Sequence, residues 1–336
     1  MKEIVVNQDK DIVIRDKISQ KQDGSKGMLV RADFSLIEVP LELKLEGLDK
    51  KEEKAREQEL PLAVCNNAIV EQAASLSAEI ISGDRVVSGV DSLSGDYFLK
   101  RDKVIKLSED IDNEKACFIG FGANALHAIR KANLELGDRV AVFGQGLSGA
   151  LTAQIAREAG ADVVAIDADE NRLNIARQSG IKSVVFTEEN SVDKVREFSG
   201  GIGVDIVFIT AKIVSKNLWE YVWMIVRPEG TIVITRAQDI NFDYQLLSEK
   251  NINVRVCVGY KMWEDYFPAD NIIHPVSYVR WDLRKDLEEI KNMIGDNRIS
   301  TDLLITQRIK IEKNKELITI PLGRKNNQIG ILLRFS

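Results

Sequence analysis

Cysteine and histidine are scarce in this chain of 336 residues, which has three cysteines (Cys65, Cys117 and Cys257) and two histidines (His127 and His274). The cysteines are far apart, none belongs to a CxxC pair, and their number is odd. That argues against a disulfide framework and excludes a structural zinc site of four cysteines. The same inventory leaves little for metal-ligand chemistry. Long apolar runs are missing too: none approaches the about 20 residues needed to cross a bilayer, so no membrane partner is expected. Nor is there an excess of positive charge. Lys and Arg number 46 against 52 Asp and Glu, a net charge of −6. Nonspecific nucleic-acid binding relies on clustered positive charge, so no nucleic-acid partner is expected either. The first residues, MKEIVVNQDKDIVIRD, alternate charged and apolar positions without the apolar core of a signal peptide. A cytoplasmic protein is expected.

What remains is the composition of a soluble globular protein, 44% hydrophobic and 29% charged, long enough for two domains. Residues 1 to about 115 read as short strands (Glu3–Val6, Ile12–Arg15, Met28–Phe34, Ala68–Ala73, Asp84–Ser88) separated by polar turns. A charge-dense insert, Leu43 to Glu59, interrupts them and reads as a solvated loop or exposed helix. From about 135 to 260, β-branched runs alternate with helical patterns: Val140–Phe143, Asp162–Ile166, Ser183–Phe186, Val204–Ile209, Thr231–Thr235 and Asn253–Val258. Six near-continuous apolar strands with helices between them predict a buried parallel sheet covered on both faces. The tail adds an amphipathic helix from about Arg284 to Ile294 and strand-like Leu303–Ile311 and Gln328–Phe335. Two β-rich flanks around a doubly wound core imply a discontinuous domain, 1–118 with 264–336, around a nucleotide-binding domain, 119–263.

The clearest motif is Gly144-Gln145-Gly146-Leu147-Ser148-Gly149. A lone GxGxxG is weak evidence, but this one follows a predicted strand and opens an amphipathic helix. A second strand then ends in Asp167, 23 residues past Gly144. These are the parts of a Rossmann dinucleotide fingerprint. Gly144 allows the tight turn, Gly146 lets a pyrophosphate approach the backbone, and Gly149 lets the helix pack on the strand. Helix-start N–H groups hold the phosphate charge. Asp167 accepts from the adenosine ribose hydroxyls and repels a 2′-phosphate, which favours NAD(H) over NADP(H). Arg172, five residues on, softens that preference if it turns toward the site, although it is expected to face solvent. Ala168, Asn124, Thr210 and Thr235 complete the candidate cofactor set.

With these segments in order, the chain resembles the medium-chain dehydrogenase/reductases. Leu136-Gly137-Asp138-Arg139-Val140-Ala141-Val142-Phe143-Gly144 is similar to the family's entry into its cofactor domain. Ser82-Gly83-Asp84-Arg85-Val86-Val87 resembles its GDRV turn, Ala123–Ala128 the helix beneath the nicotinamide, and Arg227-Pro228-Glu229-Gly230-Thr231 the turn before the fifth sheet strand. The resemblance implies a GroES-like β-rich catalytic domain beside a Rossmann domain with a six-stranded sheet, a small-molecule substrate bound between the domains, and a homodimer. A narrower similarity runs through Ser35-Leu36-Ile37, Gly259-Tyr260, Tyr278-Val279-Arg280-Trp281 and Ile329–Phe335. It points to a zinc-lacking branch that includes the dehydrogenase half of bi-domain oxidoreductases of bacterial surface-polysaccharide clusters, akin to the dehydrogenase of bacteriochlorophyll synthesis.

The departures fall in the substrate half. Zinc members carry a Cys-Gly-x-Asp stretch where this chain has Ile37-Glu38-Val39-Pro40-Leu41-Glu42, and Gly-His-Glu near Cys65-Asn66-Asn67. Of the zinc-lacking branch's Gly-Thr-Glu only Glu42 matches, and its His-Ala-Glu is Ser94-Gly95-Asp96 here. Without a Lewis acid, oxygen charge developed during hydride transfer needs a proton donor or hydrogen-bond network. Glu42, Cys65, Asn66 and Tyr260 are the candidates; Glu38, Asp96 and Lys261 are weaker ones. Each has a plain alternative: Glu42 as part of the insert, Cys65 as a small buried residue, Asn66 and Asn67 as turn formers, Asp96 as a turn cap, and Lys261 as a solvated side chain. His127 on its apolar helix reads as a packed or surface residue rather than a catalyst. The expected activity is zinc-independent, NAD(H)-linked interconversion of a secondary alcohol and a ketone of a small metabolite. Reduction of an activated C=C or C=N bond, or NAD(H) binding without turnover, are the alternatives.

Overall fold

The structure, a computed structural model, describes residues 2–6, 12–16, 27–38, 60–61, 64–73, 79–90, 93–94, 96–100, 103–186, 190–211, 216–235, 244–257, 280–312, 317–320 and 328–335. Glu42, the insert 43–59, Tyr260, Lys261 and His274 lie outside the described residues. Among the described residues no helix is long and apolar enough to cross a membrane.

The chain divides into two compact units. The first comprises 1–123, 283–297 and 301–336, and the second 124–282 and 298–300. In the first, strands β1 (Lys2–Val6), β2 (Ile12–Asp16), β3 (Gly27–Glu38), β4 (Leu60–Pro61), β5 (Val64–Ala73), β6 (Arg85–Ser88), β7 (Leu93–Ser94), β8 (Asp96–Lys100) and β9 (Val104–Lys106) are followed by helix α1 (Asn113–Ala116). Helix α2 (Ile119–Ala132) comes next. The second unit holds β10 (Arg139–Phe143), α3 (Leu147–Glu158), β11 (Asp162–Asp167), α4 (Glu170–Gln178), β12 (Lys182–Val185), α5 (Ser191–Phe198), β13 (Val204–Ile209), α6 (Lys216–Ile225), β14 (Val226–Ile234), α7 (Tyr244–Lys250) and β15 (Asn253–Val256). The tail returns to the first unit with α8 (Leu283–Gly295), β16 (Ile305–Ile311), β17 (Leu317–Ile320) and β18 (Gly330–Phe335).

The second unit is a parallel sheet in the order β12-β11-β10-β13-β14-β15, the 3-2-1-4-5-6 arrangement of a doubly wound nucleotide-binding fold. Its central strands β10, β11 and β13 are largely apolar, because helices cover parallel sheets on both faces, whereas the edge strands β12 and β15 carry polar and exposed residues. In β10, Val140 through Phe143 are all buried, and in β13 four consecutive residues from Ile206 are buried. At the opposite end of the strands from the glycine turn, Asp205 staples three of them. It accepts from the Arg139 N–H at 2.7 Å and from Arg227 Nε at 2.5 Å. The returning segment 298–300 joins this unit through Gln154 of α3, which donates to and accepts from the Ser300 backbone.

The first unit holds two mainly antiparallel sheets. One runs β16-β18-β3-β5-β6-β9 with β8 also on β3, and the other β17-β2-β1-β4 with β7 also on β1. Ile4, Ile12, Ile14, Met28, Val30, Ala32, Ile37, Ile331 and Leu333 share one core. The predicted helix near 284–294 is present, burying Leu287, Ile290, Met293 and Ile294 on one face. Two readings need correction. The strand placed at Ala68–Ala73 begins at Val64, so Cys65, Asn66 and Asn67 lie in β5 and form no turn. Asp96 opens strand β8 rather than capping a turn. In both places the pairing with β3 outweighs the local turn preference of Asn and Asp.

Candidate functional site

The glycine turn at the carboxyl end of β10 is built as the fingerprint requires. Gly144 has φ +95, and a Cβ there would stand 2.8 Å from the Ala211 nitrogen. A Cβ on Gly149 would fall 1.8 Å from the Gly144 carbonyl oxygen. Gly146 is different: nothing comes nearer to its Cβ position than Arg172 Nη1 at 3.8 Å. The turn is therefore closed on its inner side and open over Gly146. Gly146 is also the N-cap of α3 and has no side chain to satisfy the first-turn N–H groups, which at any helix start lack an intrahelical acceptor. An open backbone with inward glycines and available donors fits a pyrophosphate.

The side chains around the turn are tightly engaged. Gln145 is buried and its Nε2 donates to the Val142 carbonyl at 3.1 Å, so the side chain folds back along the strand. Leu147 is buried under the helix, and Ser148 is half-buried with its carbonyl accepting the Thr152 hydroxyl. Asp167, 6% exposed, ends β11. Its Oδ2 accepts the Gln145 N–H at 2.6 Å and its Oδ1 the Asp169 N–H at 2.8 Å. Ala168 next to it is exposed. Thr210, just past β13, donates its hydroxyl toward the carbonyls of Gly144 (2.8 Å) and Phe143 (3.0 Å). Thr235, just past β14, bonds the Ile209 carbonyl through both its N–H and its hydroxyl. Asn124 is half-buried on α2.

Arg172 does not face solvent. It is 5% exposed, and its Nη1 stands 4.0 Å from Asp167 Oδ2. The reason is helix direction: α4 begins at Glu170, so Arg172 lies in its first turn, and helical side chains lean toward the N-terminus. The spacing Asp167-x4-Arg172 with a helix start at Asp169 carries that signal in the sequence. Behind the turn, Phe143, Phe186 and Tyr221 pack edge to face at 5.0 to 5.7 Å, which fixes the end of β10.

In the first unit, the candidate residues of β5 are enclosed. Cys65 donates its thiol to the Ser88 carbonyl at 3.5 Å, and burial pushes its pKa up to about 12. Asn66 accepts the Ser35 hydroxyl at 2.5 Å, and Asn67 donates to Oδ1 and the carbonyl of Asn113. Glu38, also buried, is the last residue of β3. Register places Ser35 opposite Asn66 and Ile37 opposite Val64. Ile37 and Asn66 thus lie on one sheet face as diagonal neighbours, within the two stretches that resemble the metal-ligand segments of zinc members. Ile37 offers no donor atom and sits in the apolar core, and the Asn66 Oδ1 holds the Ser35 hydroxyl, so this donor set does not fit a zinc ion. Sequence reading did not find the Ser35 partner, because only register brings residues 31 positions apart together. Among the described residues no three His, Cys, Asp or Glu side chains converge as a metal site. His127, on α2, has its pKa lowered to about 4 by burial and by the neighbouring Lys131 and Arg130 charges, and is neutral near pH 7.

Several known proteins resemble the chain. A zinc-binding dehydrogenase family profile matches residues 149–274. D-xylulose reductase of Saccharomyces cerevisiae is 36% identical over 172 residues, 49% of this chain and 48% of that one. (R,R)-butanediol dehydrogenase of Bacillus subtilis is 25% identical over 236 residues, 69% and 60% respectively. The chain spans about half the length of the curated relatives it matches most strongly. An alcohol dehydrogenase from Thermus sp. ATN1 superimposes along the whole of both chains, with TM-score 0.72 and 16% identity. Galactitol-1-phosphate dehydrogenase of Escherichia coli does so with TM-score 0.68 and 16% identity. These two likenesses concern the fold.

Proposed function

We infer that the chain is an alcohol-dehydrogenase-like medium-chain dehydrogenase/reductase and an NAD(H)-linked oxidoreductase interconverting a secondary alcohol and a ketone of a small metabolite without zinc. One observation carries this reading: a glycine turn open only over Gly146, with Asp167 beside it at the carboxyl end of β11. Bound NAD(H) donates or accepts the hydride. The Gly146–Gly149 backbone holds its pyrophosphate and Asp167 accepts from the adenosine ribose, with Arg172 balancing the buried carboxylate. The preference for NAD(H) over NADP(H) rests on the charge of Asp167, which opposes a 2′-phosphate. The relatives named for D-xylulose and butanediol support a polyol or hydroxyketone as substrate.

Zinc independence is supported by Ile37 and Asn66 within the stretches that resemble the metal-ligand segments. Proton handling is assigned to Glu42 and Tyr260, because Cys65 holds its proton far above neutral pH and Asn66 is occupied by Ser35. The family resemblance adds a homodimer, which the mass in solution tests. NADH consumption measured across ketones, with and without a chelator, tests the whole reading. Expected is chelator-insensitive oxidation of NADH by a ketone or ketose. Consumption of enones or imines alone identifies a C=C or C=N reductase instead. Tight NADH binding with no acceptor reduced identifies a protein that binds without turnover.

A further inference from the structure

The peptide between Gly144 and Gln145 is gripped at both ends. Its carbonyl oxygen accepts the Thr210 hydroxyl at 2.8 Å, and its N–H donates to Asp167 Oδ2 at 2.6 Å. In a trans peptide these two groups point in opposite directions, so the two bonds together fix the rotation of the peptide plane. We propose that Thr210 is a positioning residue for the cofactor turn: its hydroxyl holds the Gly144 carbonyl inward and so aims the N–H groups that follow at the pyrophosphate. The proposal rests on the NAD(H) reading of the same turn.

The packing leaves Thr210 no other evident task. It is buried, its N–H donates to the Phe143 carbonyl at 2.9 Å, and its single hydroxyl proton lies between the Phe143 and Gly144 carbonyls. The bare Gly149 faces the same two atoms, since its Cβ position is 1.8 Å from the Gly144 oxygen and 2.6 Å from Thr210 Oγ1. Carbonyl, hydroxyl and helix start therefore interlock, and a change in one shifts the others. The second grip has a further effect. Asp167 serves both the turn and, in the proposed complex, the ribose, so the ribose and pyrophosphate parts of the site are energetically coupled through one peptide plane.

Two variants isolate the hydroxyl, because both lack the threonine methyl and differ only in the oxygen. Thr210→Ser is expected to bind NADH within about threefold of the wild type, and Thr210→Ala about ten- to a hundredfold more weakly, as for a buried hydrogen bond whose acceptor is left unpaired. Without cofactor, amide hydrogen exchange at Gln145 rises in Thr210→Ala and not in Thr210→Ser, because only the former frees the plane. Equal NADH affinity in the two variants, or Gln145 exchange that does not distinguish them, overturns the proposal. A wild type that binds no NADH overturns the functional reading. The Gln145 exchange, read on the protein alone, decides the grip separately.

Discussion

At the end of β10 the polar groups that matter belong to the backbone, and in β3 and β5 they belong to side chains. The first arrangement spends its side chains (Thr210, Asp167, Gln145) on holding peptide groups in place, and leaves Gly146 open. The second spends them on one another: Ser35 on Asn66, Asn67 on Asn113, Cys65 on the Ser88 carbonyl. A buried polar group without a partner costs about 1–3 kcal/mol; the named bonds meet that cost for these groups in both regions, while Gln145 Oε1 at the turn has no hydrogen-bond partner among the described residues. A binding site made of backbone tolerates wide divergence elsewhere if its glycines stay. A site made of side chains on a sheet face depends on every one of them.

Several substitutions test this contrast. Gly149→Ala is expected to act most strongly, because its Cβ meets the Gly144 carbonyl and backbone cannot step aside. A lower melting temperature, matching about 3 kcal/mol of overpacking, and loss of measurable NADH binding should accompany each other. Retained binding would mean that the turn is not the cofactor site. Asp167→Ala comes next, with NADH affinity reduced by about 1–3 kcal/mol for charge-assisted bonds lost; an unchanged dissociation constant would refute its role. In the β-rich unit, Gly122→Ala meets the side chain of Ile290 at 2.6 Å. Its stability loss should be about 1–2 kcal/mol and should shrink in the background of Ile290→Ala, which removes the Cγ2 atom it meets. A loss equal to that of Gly149→Ala erases the distinction between backbone and side-chain neighbours.

His127 gives a smaller effect. Its pKa is lowered from 6.5 to about 4 in the fold, first by burial and then by the Lys131 and Arg130 charges. Between those values the unfolded chain binds more protons than the folded one, so stability falls as pH drops from about 6.5 to about 4 and the loss then levels off. The melting temperature of His127→Gln should change less between pH 7 and pH 5 than that of the wild type. The smallest expected effect is at Cys65. Burial holds its thiol protonated, so iodoacetamide at pH 8 should leave it unmodified in the native protein while labelling it in denaturant. Rapid native labelling would show that β5 opens to solvent.

The parallel sheet was legible because its central strands are runs of apolar β-branched residues and the turn after β10 and the end of β11 are marked by glycine and aspartate. The same regularity made Gly144–Gly149 and Asp167 readable as a candidate site. The burial of Arg172 was not legible from its position alone, because it follows from the helix start at Glu170, which turns the side chain back toward Asp167. In the first unit Asn66 and Asn67 look like turn formers, and their place in β5 follows from pairing with β3 at long range. Strand β17 (Leu317–Ile320) was missed for the same reason: four residues carry little pattern until β2 pairs with them.

The position of β18 bears on how the chain assembles. It lies between β16 and β3, with Gly330 opposite Glu38, so adjacent strands of one sheet leave the ribosome roughly 300 residues apart. All of the parallel sheet is made in the interval, from local strand-helix-strand units that need nothing downstream of Ser300. The glycine turn is thus able to form, and to meet its ligand, while β3 still waits for its neighbour with one edge open. Local contacts form fast and distant ones slowly, and an open edge invites wrong partners. Completion of the β-rich unit, rather than of the parallel sheet, is therefore the step that waits longest on the chain.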